Sequence, residues 1–249
     1  MTSKYSTVEV RPTIANVAVG QHAAFANGDV LFDWTEIQIP RGPCKLIGIS
    51  AEIRPKGDSG STVNKFPFEL LFAKSKVKVA PSTLGPLNSA PAASVLLSSQ
   101  ADRFLGVAPV VATDFVDADQ MSYASASPAN IVLQGEPNSG DNVGTDTLFV
   151  AGIAGGAFAF TSTCLINAGD LDGPTMTVKD VDPRLFILPG DTVAVATTAD
   201  TSVTKAMGVV ASLTSTSIVL TEAFATADVV NEDIVYNTSP IKLLLHFEK

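Results

Sequence analysis

SPIKLLLHFEK, residues 239–249, closes the chain. Its apolar run and charged end match an earlier stretch, FPFELLFAKS at 66–75. A run this apolar belongs in a core. The texture just before it is different. From Thr175 onward, TMTVKDVD, LFILPGDTVAVAT, TKAMGVVASLTSTSIVLTE and EDIVYN read as short strands about 8–12 residues apart, joined by tight turns. Pro189-Gly190-Asp191 is a turn that starts a strand, and Leu213 to Ser217 is a hairpin tip. That spacing resembles a small SH3-like barrel of roughly 60 residues. The closing strand therefore returns to an earlier sheet, and the barrel is an insertion. The expected fold class is all-β: an antiparallel β-sandwich, jelly-roll-like, with an inserted small SH3-like β-barrel near the C-terminus. The sandwich takes residues 1–172 plus 238–249 and the barrel takes 173–237. No extended internal repeat points to a solenoid or propeller.

Outward from that stretch, strand signatures dominate. TVEVRPTIANVAV (7–19) gives one or two strands broken near Pro12. DVLFDWTEIQI (29–39) alternates, with Leu31, Asp33 and Thr35 on one face and Phe32, Trp34 and Glu36 on the other. Pro40-Arg41-Gly42-Pro43 is a turn, CKLIGISAEIR (44–54) is the next strand, and FPFELLFAKS follows a polar loop. Strands in this succession are expected to pair as antiparallel neighbours. Residues 81–128 are rich in Pro, Ser and Ala. They are expected to form a long loop with helical turns at Ala101 to Leu105 or Asp117 to Tyr123. A loop of that length usually contacts a partner. ANIVLQGE (129–136) and the segment Thr147 to Asn167 return to strand.

The 249 residues fit one large all-β domain, or one domain with a smaller module. Charged residues make up 16% of the chain and hydrophobic ones 46%, where an average soluble domain carries about 25% charge. Neutral surface desolvates cheaply, so burial against other chains is expected. The net charge of -9 argues against direct nucleic-acid binding, which needs a basic face. Lys74, Lys76 and Lys78 do alternate along one possible strand face, but acidic residues dominate elsewhere. Cys44 and Cys164 each lie in an apolar run and read as buried thiols. MTSKYSTVEV has no apolar signal core, so folding in a reducing cytoplasm is expected. TLFVAGIAGGAFAFTSTCLINAG (147–169) is uncharged, and about 20 apolar residues span a bilayer. However, it carries Gly152, Gly155 and Gly156, then Thr161, Ser162 and Thr163. It is flanked by Asp146 and Asp170 without Lys or Arg anchors. Two buried strands with a glycine hinge fit it better, with no membrane role.

Gly57-Asp58-Ser59-Gly60 spells the run around the nucleophile of trypsin-like proteases. A serine nucleophile needs a base and an acid that orients it. The histidines are His22 and His246. The order His22, Asp29 or Asp33, Ser59 matches that family, but fewer than about 40 residues separate His22 from Ser59, too few to build two barrels. GQHAAFANG around His22 also lacks the Ala-Ala-His-Cys pattern. The run reads instead as a polar turn between two strands. Neither cysteine has a histidine nearby in sequence, and no nucleophile elbow or phosphate loop occurs. Asp170, Asp172, Asp180 and Asp182 cluster, as do Asp114, Asp117 and Asp119. Neither set has the order of a calcium loop, and both read as solvated turns. Asn237-Thr238-Ser239 is a formal glycosylation sequon followed by Pro240. With one Trp and three Tyr the chain is poorly equipped as a sugar platform. The sequence assigns no catalytic, cofactor-binding or metal-ligating residue, no cofactor and no enzymatic activity.

Three stretches together, NGDVLFDWTEIQIPRGPCKLIGISAEIR, FELLFAKS and APSTLGPLN, resemble virion structural proteins of tailed phages of marine bacteria, cyanophages in particular. The resemblance covers about residues 27–90, with weaker support from PIKLLLHF. It implies a particle component, a capsid decoration or cement protein first and a tail, neck or receptor- (glycan-) binding component second. It also implies the major capsid protein or other virion proteins as partners, self-association as a further option, and the virion as location after assembly in the host cytoplasm. No site residues carry over. The segments expected to touch a partner are the exposed sides of residues 81–128 and the arm Thr2 to Val10.

Overall fold

The structure is a computed structural model that describes residues 4–14, 24–77, 79–92, 103–119, 121–127, 131–139, 144–167, 173–196, 204–224 and 229–249. These residues form an all-β protein of two antiparallel sheets and a closed barrel. The front sheet has six strands: β1 (Tyr5–Val10), β17 (Ile241–Glu248), β3 (Cys44–Ile53), β7 (Met121–Ala126) and β6 (Phe115–Ala118) in that order, with β8 (Ile131–Leu133) also on β3. The back sheet has five: β2 (Val30–Pro40), β10 (Thr145–Ala154), β4 (Phe68–Lys74) and β5 (Phe104–Val110), with β9 (Glu136–Pro137) on β10.

One apolar core joins the two sheets. Leu46, Ile49, Ile53, Leu243, Leu245 and Phe247 enter it from the front sheet, and Phe32, Ile39, Phe68, Leu70, Phe72 and Leu148 from the back. SPIKLLLHFEK becomes β17, between β1 and β3. Its burial alternates strictly, with Ile241, Leu243, Leu245 and Phe247 inside, as a strand with one wetted face requires.

The barrel closes through β11 (Leu165–Ile166), β12 (Thr175–Lys179), β15 (Ser217–Leu220), β14 (Thr204–Leu213), β13 (Thr192–Ala196) and β16 (Ile234–Asn237). It has its own core, built from Ile166, Met176, Val178, Phe186, Val193, Ile218 and Val235 among others. The hairpin expected at Leu213 to Ser217 is closed by Thr214 N–H donating to the Ser217 carbonyl at 3.0 Å. Among the described residues no helix is long and apolar enough to cross a membrane.

Four sequence expectations change. Although later neighbours such as β4 and β5 pair, the first consecutive strands do not: β2 and β4 lie in the back sheet and β3 in the front. Each has an apolar face that is buried only against the opposite sheet, so the chain crosses over at each connection. Gly42 makes the first crossing at φ +88°, a conformation that glycine adopts freely. Leu31 and Phe32, expected on opposite faces, both enter the shared core. The β2–β10 pairing slips between Val150 and Ile153, and this irregularity breaks the alternation.

Residues 81–128 are not one loop, because β5, β6 and β7 all fall inside them. Of Asp117 to Tyr123, expected as a helical turn, Asp117 and Ala118 end β6 and Met121 to Tyr123 begin β7. Of the other expected helical turn, Ala101 and Asp102 lie outside the described residues, while Phe104 and Leu105 begin β5. Finally, the barrel takes its first strand from Leu165–Ile166, on the N-terminal side of the division expected at 172/173. A two-residue strand inside a long uncharged run carries no periodicity to read.

Candidate interaction surfaces

The body and the barrel meet through a buried ion cluster. Arg54 ends the β3 segment and is 2% exposed, and Asp191 opens β13 and is 0% exposed. Arg54 Nε donates to Asp191 Oδ2 at 3.0 Å, Arg11 Nη1 donates to Oδ1 at 3.0 Å, and Asn237 Nδ2 donates to Oδ2 at 2.9 Å. Arg54 Nη2 adds a bond to Oδ1 at 3.3 Å and Leu188 N–H one to Oδ2 at 2.9 Å, five in all. Burial works against the Arg54 charge, but Asp191 and Glu52 more than offset it, so its pKa is raised. Outward, Arg54 also donates to Glu52. Arg11 donates to Glu9 at 2.8 Å, which holds the Glu9 carboxyl below its usual range.

The protease-like run packs beside this cluster. Gly57 N–H donates to the Thr161 carbonyl at 2.8 Å, and Thr163 N–H donates back to Gly57 at 2.7 Å. A Cβ on Gly57 would stand 2.7 Å from Ser162 Oγ and 2.8 Å from the Phe186 ring. Asp58 Oδ1 accepts from Thr62 N–H at 2.8 Å, and the Asp58 carbonyl accepts from Ser61 N–H at 3.0 Å. Ser59 sits exposed at the tip of this turn. His22 lies outside the described residues. His246 is engaged by Thr7 Oγ1 at 3.0 Å and Ser50 Oγ at 3.1 Å on the front sheet.

The other singled-out residues have local duties. Asp114 accepts from Val111 N–H at 2.9 Å, Asp117 pairs with Lys65 at 2.8 Å, and Asp182 accepts from Arg184 N–H at 3.0 Å. Asp170 and Asp172 lie outside the described residues, as does Lys78. Among the described residues no group of three or more His, Cys, Asp or Glu is placed to hold a metal ion. Lys74 ends β4 and Lys76 enters a tight bridge with Val79, so these two do not share one strand. Asn237 is 5% exposed and its amide nitrogen is used by Asp191 and the Phe186 carbonyl, so the sequon is inaccessible in the fold.

Cys44 and Cys164 lie in different cores. Burial, with Asp146 adding to it, pushes the Cys44 thiol up to about 11. Burial, with Asp180 and Asp182 adding, pushes the Cys164 thiol up to about 12. Both are inert at neutral pH.

Two surfaces stand open among the described residues; the second falls inside the expected contact segment 81–128, and the first includes only its β1 edge from the expected arm. The first is the outer face of the front sheet. Strand pairing sets its side chains in cross-strand rows: Lys242–Glu52–Tyr123–Val116 at one end and Tyr5–Glu248–Lys45–Val132 at the other. Between them run Glu9–Leu244–Ser50–Ser125 and Thr7–His246–Gly48. Val116 is 68% exposed, Val132 59% and Tyr5 57%. Of the arm expected at Thr2 to Val10 to meet a partner, Tyr5–Val10 forms the edge strand β1.

The second surface surrounds edge strand β5, inside the segment expected to meet a partner. Phe104, Val107 and Val111 are exposed there, and Arg103 donates to the carbonyls of Val79 and Ala80, which draws the exposed Val77 and Val79 alongside. Pro109 on β5 removes a backbone donor from this edge and discourages strand addition. The surface is therefore suited to side-chain packing.

No protein-family model matches the chain, and no curated protein or solved structure shows significant similarity to it.

Proposed function

We propose that the chain is a virion structural protein of a tailed phage, a capsid decoration or cement protein that binds and stabilises the major capsid shell. In this reading the two-sheet body is jelly-roll-like and the inserted barrel SH3-like. The chain performs no reaction, holds no cofactor and joins the particle after assembly in the host cytoplasm. The reading is supported by the resemblance of residues 27–90 to virion proteins and by the low charge content of the chain, 16%.

The observation that carries it is the apolar surface around β5, where Phe104, Val107, Val111, Val77 and Val79 all stand exposed. Exposed apolar patches of this kind mark protein contacts. A cement protein must bury such area on shell subunits, and a specific contact buries about 1,200–2,000 Å² in total. The barrel, tied to the body by Arg54 and Asp191, widens the rigid footprint.

Cross-linking intact particles of the phage that encodes the chain, followed by mass spectrometry, tests the reading. Cross-links from Lys74 or Lys76, which flank the β5 surface, to the major capsid protein are expected. Absence of the chain from purified particles, or cross-links only to tail proteins, would sink it.

A further inference from the structure

We propose that the outer face of the front sheet binds a second copy of this chain, giving a two-fold symmetric dimer. The inference goes beyond the particle reading and does not depend on it. It comes from the charge order along the strands. On β17 the outward residues run Lys242, Leu244, His246, Glu248, so a cation stands at one end and an anion at the other. On β3 the order is Glu52, Ser50, Gly48, Lys45, again with opposite charges at the ends.

A two-fold axis lying across the strands, between the Leu244 and His246 rows, exchanges the ends. It sets Lys242 over Glu248 of the second copy and Glu52 over its Lys45, and each pair occurs twice. Like charges directly opposed would cost several kcal/mol, so orientations that stack them are disfavoured. A two-fold axis along the strands, between β17 and β3, would also pair unlike charges, Lys242 with Glu52 and Glu248 with Lys45, and the relief of the face distinguishes the two.

The relief of the face agrees with the axis across the strands. A hollow of about 310 Å³ lies between Tyr123, Val116, Leu244 and Ser50 at one end. A second hollow of about 280 Å³ lies between Pro43, Lys45, Val132 and Glu248 at the other. The exchange brings Val132 of each copy over the first hollow of its mate and Tyr123 over the second. Sheets packed face to face stand about 10 Å apart, within reach of Lys and Glu side chains. With strands about 4.8 Å apart, the face offers roughly 500–600 Å² per copy. The total of roughly 1,000–1,200 Å² sits at the small end of specific interfaces, so the dimer is concentration-dependent.

Sedimentation equilibrium of the purified chain from about 1 to 200 µM tests this, since interfaces of this size hold at micromolar affinity. The wild type is expected to shift from monomer to dimer across the range. Lys45→Glu and Val132→Glu, both at exposed sites, are each expected to weaken the dimer at least tenfold while leaving the circular dichroism unchanged. The decisive arm mixes variants. Lys242→Glu alone and Glu248→Lys alone place like charges opposite each other, whereas a one-to-one mixture pairs opposite charges at both sites and restores the dimer. Lys45→Glu mixed with Glu52→Lys is the second such pair, should either of the first fail to fold. A wild type that stays monomeric throughout, or a dimer indifferent to Lys45→Glu and Val132→Glu, would overturn the proposal.

Discussion

The Arg54 guanidinium, at the end of a front-sheet strand, grips both carboxylate oxygens of Asp191, at the start of a barrel strand: Nε to Oδ2 at 3.0 Å and Nη2 to Oδ1 at 3.3 Å. The two are 137 positions apart in sequence. Removing one member of a buried pair strands the other charge, which costs about 3–5 kcal/mol, far more than the net worth of the pair. Asp191→Ala is expected to lose stability on that scale, because Arg54 keeps only Glu52. Arg11→Ala, at a half-exposed site, is expected to lose about 1 kcal/mol or less. Urea unfolding followed by Trp34 fluorescence, which reports the body, and by far-ultraviolet circular dichroism checks both. For Asp191→Ala the two probes are expected to part, since the barrel loses its tie to the body. Equal losses for the two variants would refute the assignment.

Gly57 and Ser59 separate the structural reading of the protease-like run from the catalytic one. Gly57→Ala forces a methyl against Ser162 and the Phe186 ring, an overpacking that costs about 1–3 kcal/mol. Ser59→Ala at an exposed turn tip is expected to stay within about 0.5 kcal/mol. A serine-reactive phosphonate should leave Ser59 unlabelled. Stoichiometric labelling would reopen the catalytic case.

How far the sequence could be read depended on the range of each signal. The return of SPIKLLLHFEK to a sheet was legible because an apolar run with a charged end is a local property. The tight turns at Pro189-Gly190-Asp191 and Leu213 to Ser217 were legible for the same reason. The crossing of β2, β3 and β4 between sheets was not, since the same alternation serves a hairpin neighbour and a strand in the facing sheet. β5 and β6 stayed hidden because Pro109 and the short, exposed run Phe115–Ala118 dilute a strand pattern. The Arg54–Asp191 pair and the cross-strand rows on the front sheet bring together residues remote in sequence. No spacing rule reaches them without the pairing register.

Phe32 and Gly152 face each other across the irregular part of the β2–β10 pairing. A Cβ on Gly152 would stand 2.2 Å from Phe32 Cε1, and Phe32 is 1% exposed with nowhere to retreat. Gly152→Ala is expected to cost about 1–3 kcal/mol by overpacking. Combined with Phe32→Leu, which frees the ring's space, its added cost should shrink, giving a coupling of about 0.5–3 kcal/mol in a double-mutant cycle. Additive losses from urea titrations would show that the two sites do not share this contact.

The buried thiols set the behaviour in alkali. Cys44 is raised to about 11 and Cys164 to about 12, while an unfolded thiol titrates near about 8.5. Their contribution is fully present below the unfolded value. Above it the unfolded chain gives up protons that the folded chain keeps, so stability falls as pH rises. The loss is about 1.4 kcal/mol per pH unit for each thiol until its folded value is reached. Urea midpoints measured between about pH 8 and pH 10 should therefore decline in the wild type. The decline should lessen in Cys164→Ala, and lessen further when Cys44→Ala is added. Ellman's reagent should stay unreactive with the native chain at pH near 8 and react with two thiols in urea. Rapid native labelling, or a pH slope unchanged in the double variant, would show that neither thiol is held as the two cores describe.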